Sequence, residues 1–194
     1  FTKNIKKKST IILNPLDIER IPKGVCRDRN KEIVSVGRLE NQKNHKLLIK
    51  AFSEFSKIHK EYKLIIYGNG ELKEELIELS ESIIDKDKFE LRSATNNVLF
   101  EIKDAAIFVL TSNYEGLPNI LIEAMACGLP CISTNCPSGG PAELIKNGEN
   151  GILIPVDDEK RLLEAMIKLS EDTNYAEKLG ANAAPICYPI GLES

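Results

Sequence analysis

Short apolar runs recur along the chain, and turn-forming residues such as glycine, asparagine and proline separate them. A short run bounded in this way is typical of a buried β-strand. The pattern predicts six strands, at residues 32–36, 63–67, 89–91, 105–110, 131–133 and 152–154. The third run is the weakest, because it is short and mixes a carboxylate with apolar residues.

The segments between these runs carry apolar residues at helical spacing. One helix is expected from about His45, and others at residues 71–82, 98–103, 141–146 and 157–171. A further helix should have Pro118 as its first residue and end before Gly128. Proline suits the first turn of a helix, whereas glycine suits the left-handed position just after the last turn.

The alternation of strands and helices predicts an α/β fold, a Rossmann-like, doubly wound parallel sheet of about six strands. Ligands of such sheets bind beyond the carboxyl ends of the strands. The segments that follow Val36, Tyr67, Leu91, Leu110 and Ser133 are therefore the first places to look for a site.

Composition narrows the class of protein without identifying it. The chain of 194 residues is long enough for one domain, with 42% hydrophobic and 28% charged residues and a formal net charge of −3. This balance gives no support to a nucleic-acid partner, because such proteins usually carry a basic patch. The sequence shows no apolar stretch of membrane-spanning length and no signal peptide, and an odd number of cysteines (five) indicates reduced thiols in the cytoplasm. Neither a zinc site nor any other metal site is expected, because the cysteine spacing fits none and no histidine is near.

The loop after the first strand, residues 37–44, carries two cations directly before a helix. The start of a helix attracts anions through its unpaired N–H groups and its partial positive charge. Arg38 could hold a phosphate through two parallel bonds, and Lys43 could add a mobile positive charge. Either side chain could also be an ordinary solvated cation.

The segment after the fourth strand, residues 111–130, places two carboxylates eight positions apart. Glu115 should lie in the loop before the helix, and Glu123 about one and a half turns inside it. A carboxylate can accept hydrogen bonds from both hydroxyls of a diol. The layout fits contacts to a sugar, a diphosphate and a ribose in that order, although two surface glutamates would give the same sequence.

These motifs resemble the C-terminal domain of the family 4 retaining glycosyltransferases, the group 1 glycosyl transferases of the GT-B fold. The likeness covers about residues 11–180. The matching motifs are Gly37-Arg38-Leu39 with Gln42-Lys43-Asn44, the paired glutamates within Ser112 to Pro130, Ile132-Ser133-Thr134, Pro137 to Pro141 with Glu143, and Asn150 to Leu153.

The resemblance implies a role for each matching residue. Arg38 and Lys43 would bind the donor diphosphate and offset leaving-group charge; Glu115 would hold the donor sugar, and with these two cations it makes up the catalytic set. Glu123 would bind the ribose. The remaining donor-binding residues would be Gly37, Gly68, Gly70, Gly116, Leu117, Asn119 and Ile120, several of them through main-chain N–H groups. No metal and no other cofactor is implied.

The implied function is the binding of a nucleoside diphosphate-sugar, with UDP favoured over GDP, for transfer to a glycan or lipid-linked acceptor in bacterial cell-surface polysaccharide synthesis. The acceptor site would belong to an N-terminal domain missing from this chain, so the chain alone should be inactive. The full enzyme would be cytoplasmic. A peripheral contact of the full enzyme with the inner face of the membrane is compatible with this location. The alternatives are a non-catalytic nucleotide-binding module and a sugar-nucleotide epimerase of the same fold; a phosphorylase would need a pyridoxal phosphate lysine that the sequence does not reveal.

The expected organisation is a linker remnant and entry segment at residues 1–13, the nucleotide-sugar-binding domain at 14–180 and an irregular tail at 181–194. Two prolines in the tail argue against a helix there. The family usually has glycine after the third strand, near the base, where this chain has Leu91-Arg92-Ser93.

Three further features have a plain reading beside a functional one. Gly68-Asn69-Gly70 is chiefly a tight turn, although the family uses it to line the donor cleft. Asp85-Lys86-Asp87 has the form of a metal motif but is expected at the wrong edge of the sheet. His59 should lie at the surface, whereas His45 could approach a phosphate.

Overall fold

The computed structural model describes residues 21–22 and 28–187. The strands are β1 (Asn30–Val36), β2 (Lys63–Tyr67), β3 (Phe89–Arg92), β4 (Ala105–Leu110), β5 (Cys131–Thr134) and β6 (Ile152–Ile154). The α-helices are α1 (His45–Ile58), α2 (Lys73–Ile83), α3 (Val98–Ile102), α4 (Asn119–Ala126), α5 (Gly140–Leu144), α6 (Glu159–Glu171) and α7 (Thr173–Ala183). Short 3-10 turns occupy Lys86–Lys88 and Ala184–Cys187.

The strands form one sheet in the order β3-β2-β1-β4-β5-β6, and every neighbouring pair is parallel. This arrangement confirms the predicted doubly wound sheet. The chain winds outward from β1 to β3 and then returns to place β4 on the other side of β1. The carboxyl ends of β1 and β4 therefore flank a crevice, which is where folds of this kind bind ligands.

Alternate residues of the central strands enter two apolar cores, one on each face of the sheet. Ile33 and Ile107 pack in one core with α1 and α6, whereas Val34 and Phe108 pack in the other with α3 and α4. Side chains of a strand point alternately to its two faces, so the middle of a strand covered on both sides is mostly apolar. This explains why the middle of each central strand reads as a mostly apolar run.

Four helix starts differ from the predicted ones by one or two residues, and the structure explains two of them. The second helix begins at Lys73, because the Leu72 amide donates to the Leu39 carbonyl at 3.0 Å and the chain is held in a loop up to that point. Pro118 is not the first helical residue of α4; its extended backbone places it one position earlier, where its carbonyl accepts from the Leu121 amide at 3.0 Å. Gly128 has the expected left-handed backbone after the helix, with φ 70°.

The final helix, α7, was not predicted, and it runs through residues 181–183 of the proposed tail. Asp172 starts it, because its carboxylate accepts from the Tyr175 amide at 2.9 Å. Gly180 allows α7 to touch the Gly128 carbonyl, which a side chain at this position would overlap. Pro185 lies in the 3-10 turn that follows. The predicted entry segment 1–13 and residues 188–194 of the predicted tail lie outside the described residues.

His59 was expected at the surface, but the structure places it in a mostly buried position. Its side chain is 14% exposed, and its ring stacks on Phe55 with 4.7 Å between ring centroids.

None of the helices in the described part of the chain is long and apolar enough to cross a membrane.

Candidate functional site

The loop after β1 and the loop after β4 are joined to each other at the crevice. The Asn113 amide donates to the Gln42 carbonyl at 2.8 Å, and the Gln42 side chain donates to the Tyr114 carbonyl at 3.0 Å. The Thr111 hydroxyl donates to the Lys43 carbonyl at 2.9 Å. These bonds fix the distance between the two loops and bring together the sequence-predicted site residues that they carry.

Lys43 and Glu115 form an ion pair at the base of this crevice. The Lys43 ammonium lies 2.5 Å from Glu115 Oε1, and the two side chains are only 14% and 8% exposed. The hydroxyl of the buried Ser112 donates to the same oxygen at 2.7 Å. The crevice thus contains a carboxylate and a cation that neutralise each other and that have little contact with solvent.

Arg38 is the exposed member of the predicted cation pair. Its guanidinium is 3.1 Å from the Glu40 carboxylate, and its side chain is 68% exposed. An ion pair this exposed contributes little stability. The structure therefore leaves Arg38 at the rim of the crevice, in a contact that an anionic ligand could replace.

Gly68 and Gly70 have a structural role, because they allow two backbone segments to pack closely. A Cβ on Gly68 would lie 2.0 Å from the Gly37 carbonyl oxygen, and one on Gly70 would lie 2.5 Å from the Leu39 carbonyl oxygen. The Leu39 amide also donates to the Asn69 carbonyl at 2.9 Å. Backbone therefore packs on backbone here, in agreement with the tight turn expected from the sequence, and the contact supports the loop that carries Arg38.

The loop before α4 presents main chain to solvent. Gly116 and Asn119 are exposed, and a Cβ added to Gly116 would have no atom of the described structure within 4 Å. Leu117 and Ile120 are partly exposed. The first N–H groups of a helix have no partner within the helix, so this segment offers donors to an anion.

Glu123 lies on α4, the fifth residue of the helix, and is half-buried. It lies four positions after the exposed start of α4, a rise of about 6 Å along the helix. That spacing is suited to one ligand that contacts both the N-terminus of α4 and Glu123. The predicted order of the two glutamates, one before the helix and one inside it, is confirmed.

The structure argues against the phosphate contact that the sequence left open for His45. Its side chain is buried beneath the loop after β1, 2% exposed, and burial lowers its pKa to about 4. The ring is therefore neutral at pH 7 and has no access to a phosphate at the surface. The ring occupies buried space at the first residue of α1.

The other candidate metal and thiol features have ordinary explanations. Asp85 precedes the 3-10 turn at the amino end of β3 and Asp87 lies within it, both away from the crevice. The described residues contain no cluster of three potential metal ligands. Cys127, Cys131 and Cys136 are buried thiols that form no disulfide within the described residues, as expected. Burial raises the pKa of the Cys127 thiol to about 11, so it is protonated at neutral pH.

Sequence reasoning missed the side chains that support the ion pair. Ser112 holds Glu115 Oε1, and Thr134 at the end of β5 donates to the Ser112 carbonyl at 2.5 Å. The spacing of Ser112 and Glu115, three residues apart in a loop, was a usable signal. The contribution of Thr134 depends on two strands that are neighbours only in the folded sheet.

Comparison with known proteins connects this geometry to a family. A model of the family described as "Glycosyl transferases group 1" matches residues 17–185. The chain is 35% identical over 169 residues to a Campylobacter jejuni protein named N-acetylgalactosamine-N,N'-diacetylbacillosaminyl-diphospho-undecaprenol 4-alpha-N-acetylgalactosaminyltransferase. The match covers 86% of this chain and 45% of that protein, so the chain spans less than half of this relative.

Solved structures show the same architecture. The C-terminal domain of a glycosyl transferase group 1 family protein from Francisella tularensis superimposes with a TM-score of 0.79 at 19% identity, over 89% of this chain and 96% of that one. The pneumococcal O-GlcNAc transferase GtfA, solved with UDP and GlcNAc, gives a TM-score of 0.75 at 26% identity, over 84% of this chain and 33% of that one.

Proposed function

The chain belongs to the group 1 glycosyl transferases, and from that membership we propose that it is the donor-binding domain of a retaining glycosyltransferase. Its ligand is a nucleoside diphosphate-sugar, with UDP favoured over GDP. The full enzyme transfers the sugar to a glycan or lipid-linked acceptor in the synthesis of a bacterial cell-surface polysaccharide, on the cytoplasmic side of the membrane. The relative's name, a transferase acting on a diphospho-undecaprenol substrate, and the UDP bound to GtfA support this choice.

The observation that carries the proposal is the ion pair between Lys43 and Glu115, which lies where the strand order reverses. A buried ion pair contributes little net stability, because the cost of desolvating two charges offsets their attraction. It does, however, place a cation and a carboxylate within reach of one ligand. A nucleotide-sugar has both matching parts, an anionic diphosphate and a hydroxyl-bearing sugar.

The proposed roles follow the ligand along the crevice. Glu123 accepts from the ribose hydroxyls. Lys43, Arg38 and the main-chain N–H groups at the start of α4 bind the diphosphate, and these fixed donors stabilise the charge that develops as the bond between sugar and phosphate breaks. Glu115 receives sugar hydroxyls on Oε2, because Lys43 and Ser112 both use Oε1. The protein cations neutralise the phosphates, so binding requires no metal.

The two glutamates give the sharpest test of this orientation. Glu123→Gln should weaken UDP and a UDP-sugar about equally, because both ligands carry the ribose. Glu115→Gln should not weaken UDP, which has no sugar for Glu115 to contact, and should weaken the UDP-sugar by about 1–3 kcal/mol for a lost acceptor. Calorimetric titration of each variant with UDP and with UDP-N-acetylglucosamine or UDP-glucose, in chelator, measures the four affinities against wild type.

Three outcomes of these titrations would contradict the assignment. If Glu115→Gln weakened bare UDP, the ligand would lie the other way round in the crevice. If neither substitution changed any affinity, both glutamates would be ordinary surface carboxylates. A requirement for Mg²⁺ or Mn²⁺ would contradict the role given to the two cations.

The chain by itself should transfer no sugar. Catalysis depends on holding donor and acceptor together, and positioning supplies a large part of the rate. The acceptor site is assigned to the other domain of the two-domain enzyme. An assay of the purified chain with donor and acceptor should detect at most slow donor hydrolysis, whereas rapid transfer would show that both substrates bind here. Transfer restored by adding a matching N-terminal domain would exclude the alternative of a non-catalytic nucleotide-binding module.

A further inference from the structure

The backbone of Glu115 is held by a side chain from another loop. The Ser138 hydroxyl, between β5 and α5, accepts from the Glu115 amide at 3.0 Å and donates to the Glu115 carbonyl. A hydroxyl can make both bonds because it is at once a donor and an acceptor. One serine therefore fixes the peptide units on both sides of the carboxylate-bearing residue.

A second contact between the same two loops sets their distance. A Cβ on Gly140 would lie 1.3 Å from the Gly116 carbonyl oxygen, so the two backbones touch where only glycine fits. The Ser138 turn is itself fixed, because the Gly139 amide donates to the Cys136 carbonyl at 2.9 Å and Gly139 has a left-handed backbone, φ 83°. The loop between β5 and α5 thus forms a rigid support for Glu115 and Gly116.

The support acts on the part of the loop that α4 does not hold. The Leu121 amide bonds to the Pro118 carbonyl, so the backbone from Pro118 onward is fixed by the helix itself. Glu115 precedes this segment and belongs to neither β4 nor α4. Its side-chain oxygen Oε1 is fixed by Lys43 and Ser112, and its backbone by Ser138.

From these contacts we infer that Ser138 is a positioning residue for the donor sugar. It fixes the direction of the Glu115 carboxylate and leaves the diphosphate contacts of α4 alone. This inference rests on the proposed function, in which Glu115 binds the sugar. Ser138 then controls the preference of the domain for a nucleotide-sugar over the bare nucleotide.

Substitution of Ser138 tests the inference by comparing two ligands. Ser138 is exposed, so its replacement should not prevent folding. Ser138→Ala should weaken UDP-N-acetylglucosamine or UDP-glucose, whichever the wild type binds more tightly, by about tenfold, and UDP by less than about twofold. Ser138→Thr keeps the hydroxyl and should bind the UDP-sugar almost as tightly as the wild type. Ser138→Val has the shape of threonine without the hydroxyl and should bind it as weakly as Ser138→Ala.

Two control variants separate the inference from its premise and from a general effect on stability. Ser80→Ala removes a hydroxyl that donates to the Ile77 carbonyl at 2.8 Å inside α2, and it should change neither affinity. Glu115→Gln should weaken the same UDP-sugar and not UDP. If Glu115→Gln has this effect and Ser138→Ala does not, the inference is wrong and the proposed function stands.

The remaining outcomes are also decisive. Equal weakening of UDP and the UDP-sugar by Ser138→Ala would mean that Ser138 only supports the loop as a whole, which overturns the inference. Equal affinities for the threonine and valine variants would show that the hydroxyl is irrelevant. No effect from Glu115→Gln would remove the premise, and the inference would fail with the proposed function.

Discussion

Lys43 and Glu115 are separated by 72 positions in the sequence and by one short hydrogen bond in the fold. Each was a candidate from its local motif, a cation before a helix and a glutamate before a proline-led helix. Their pairing could not be predicted from those motifs, because it depends on β4 returning to the side of β1. The exposed position of Arg38 and the burial of His45 depend on the same packing, and the sequence gives no local sign of either.

Gly116 offers a direct test of ligand approach at the residue scale. A Cβ there would meet no atom of the described structure within 4 Å, so Gly116→Ala should fold normally. Glycine is favoured where a backbone approaches a ligand closely, and the added methyl group would occupy that space. We expect UDP affinity to fall by about tenfold, or about 1.4 kcal/mol. Calorimetry together with a thermal melt measures both effects, and unchanged UDP affinity would place the diphosphate elsewhere.

At the scale of elements, the apolar pattern predicted the strands well because both faces of the sheet are covered. The bounds of β2, β4 and β6 agree with the prediction residue for residue. Where the prediction failed, a long-range contact decides the structure. The Leu39 carbonyl delays the start of α2, and the contact of Gly180 with the Gly128 carbonyl secures α7 in a segment that periodicity left unassigned.

The turn after β2 gives a prediction about the stability of the fold. Gly68→Ala would place a methyl group 2.0 Å from the Gly37 carbonyl, where no side chain can move aside. Overpacking of this kind costs about 1–3 kcal/mol, so the unfolding free energy should fall by that amount. Gly116→Ala is the matched control, since the same substitution there meets open space. Denaturant unfolding of both variants measures the difference, and equal stabilities would show that the turn yields without cost.

At the scale of the whole molecule, one sheet organises two apolar cores and one crevice. The two edge strands, β3 and β6, lie far from the strand-order reversal, and the predicted site residues of the glutamate and Gly-Arg-Leu motifs gather at its centre. A second cavity of about 430 Å³ lies beside β6, lined by residues that include Asn147, Gly148, Lys168 and Tyr175. A cavity of this size could hold a small molecule, so it is the alternative place for a ligand.

The most direct test of the account is therefore a map of where UDP binds. The isotope-labelled chain of 194 residues would be titrated with UDP in chelator, and the main-chain resonances followed by NMR. The account predicts that the largest shifts fall on Gly37, Lys43, Gly116 and the first turn of α4. Shifts concentrated on Gly148 and Tyr175 beside β6, or none at all at saturating UDP, would contradict it.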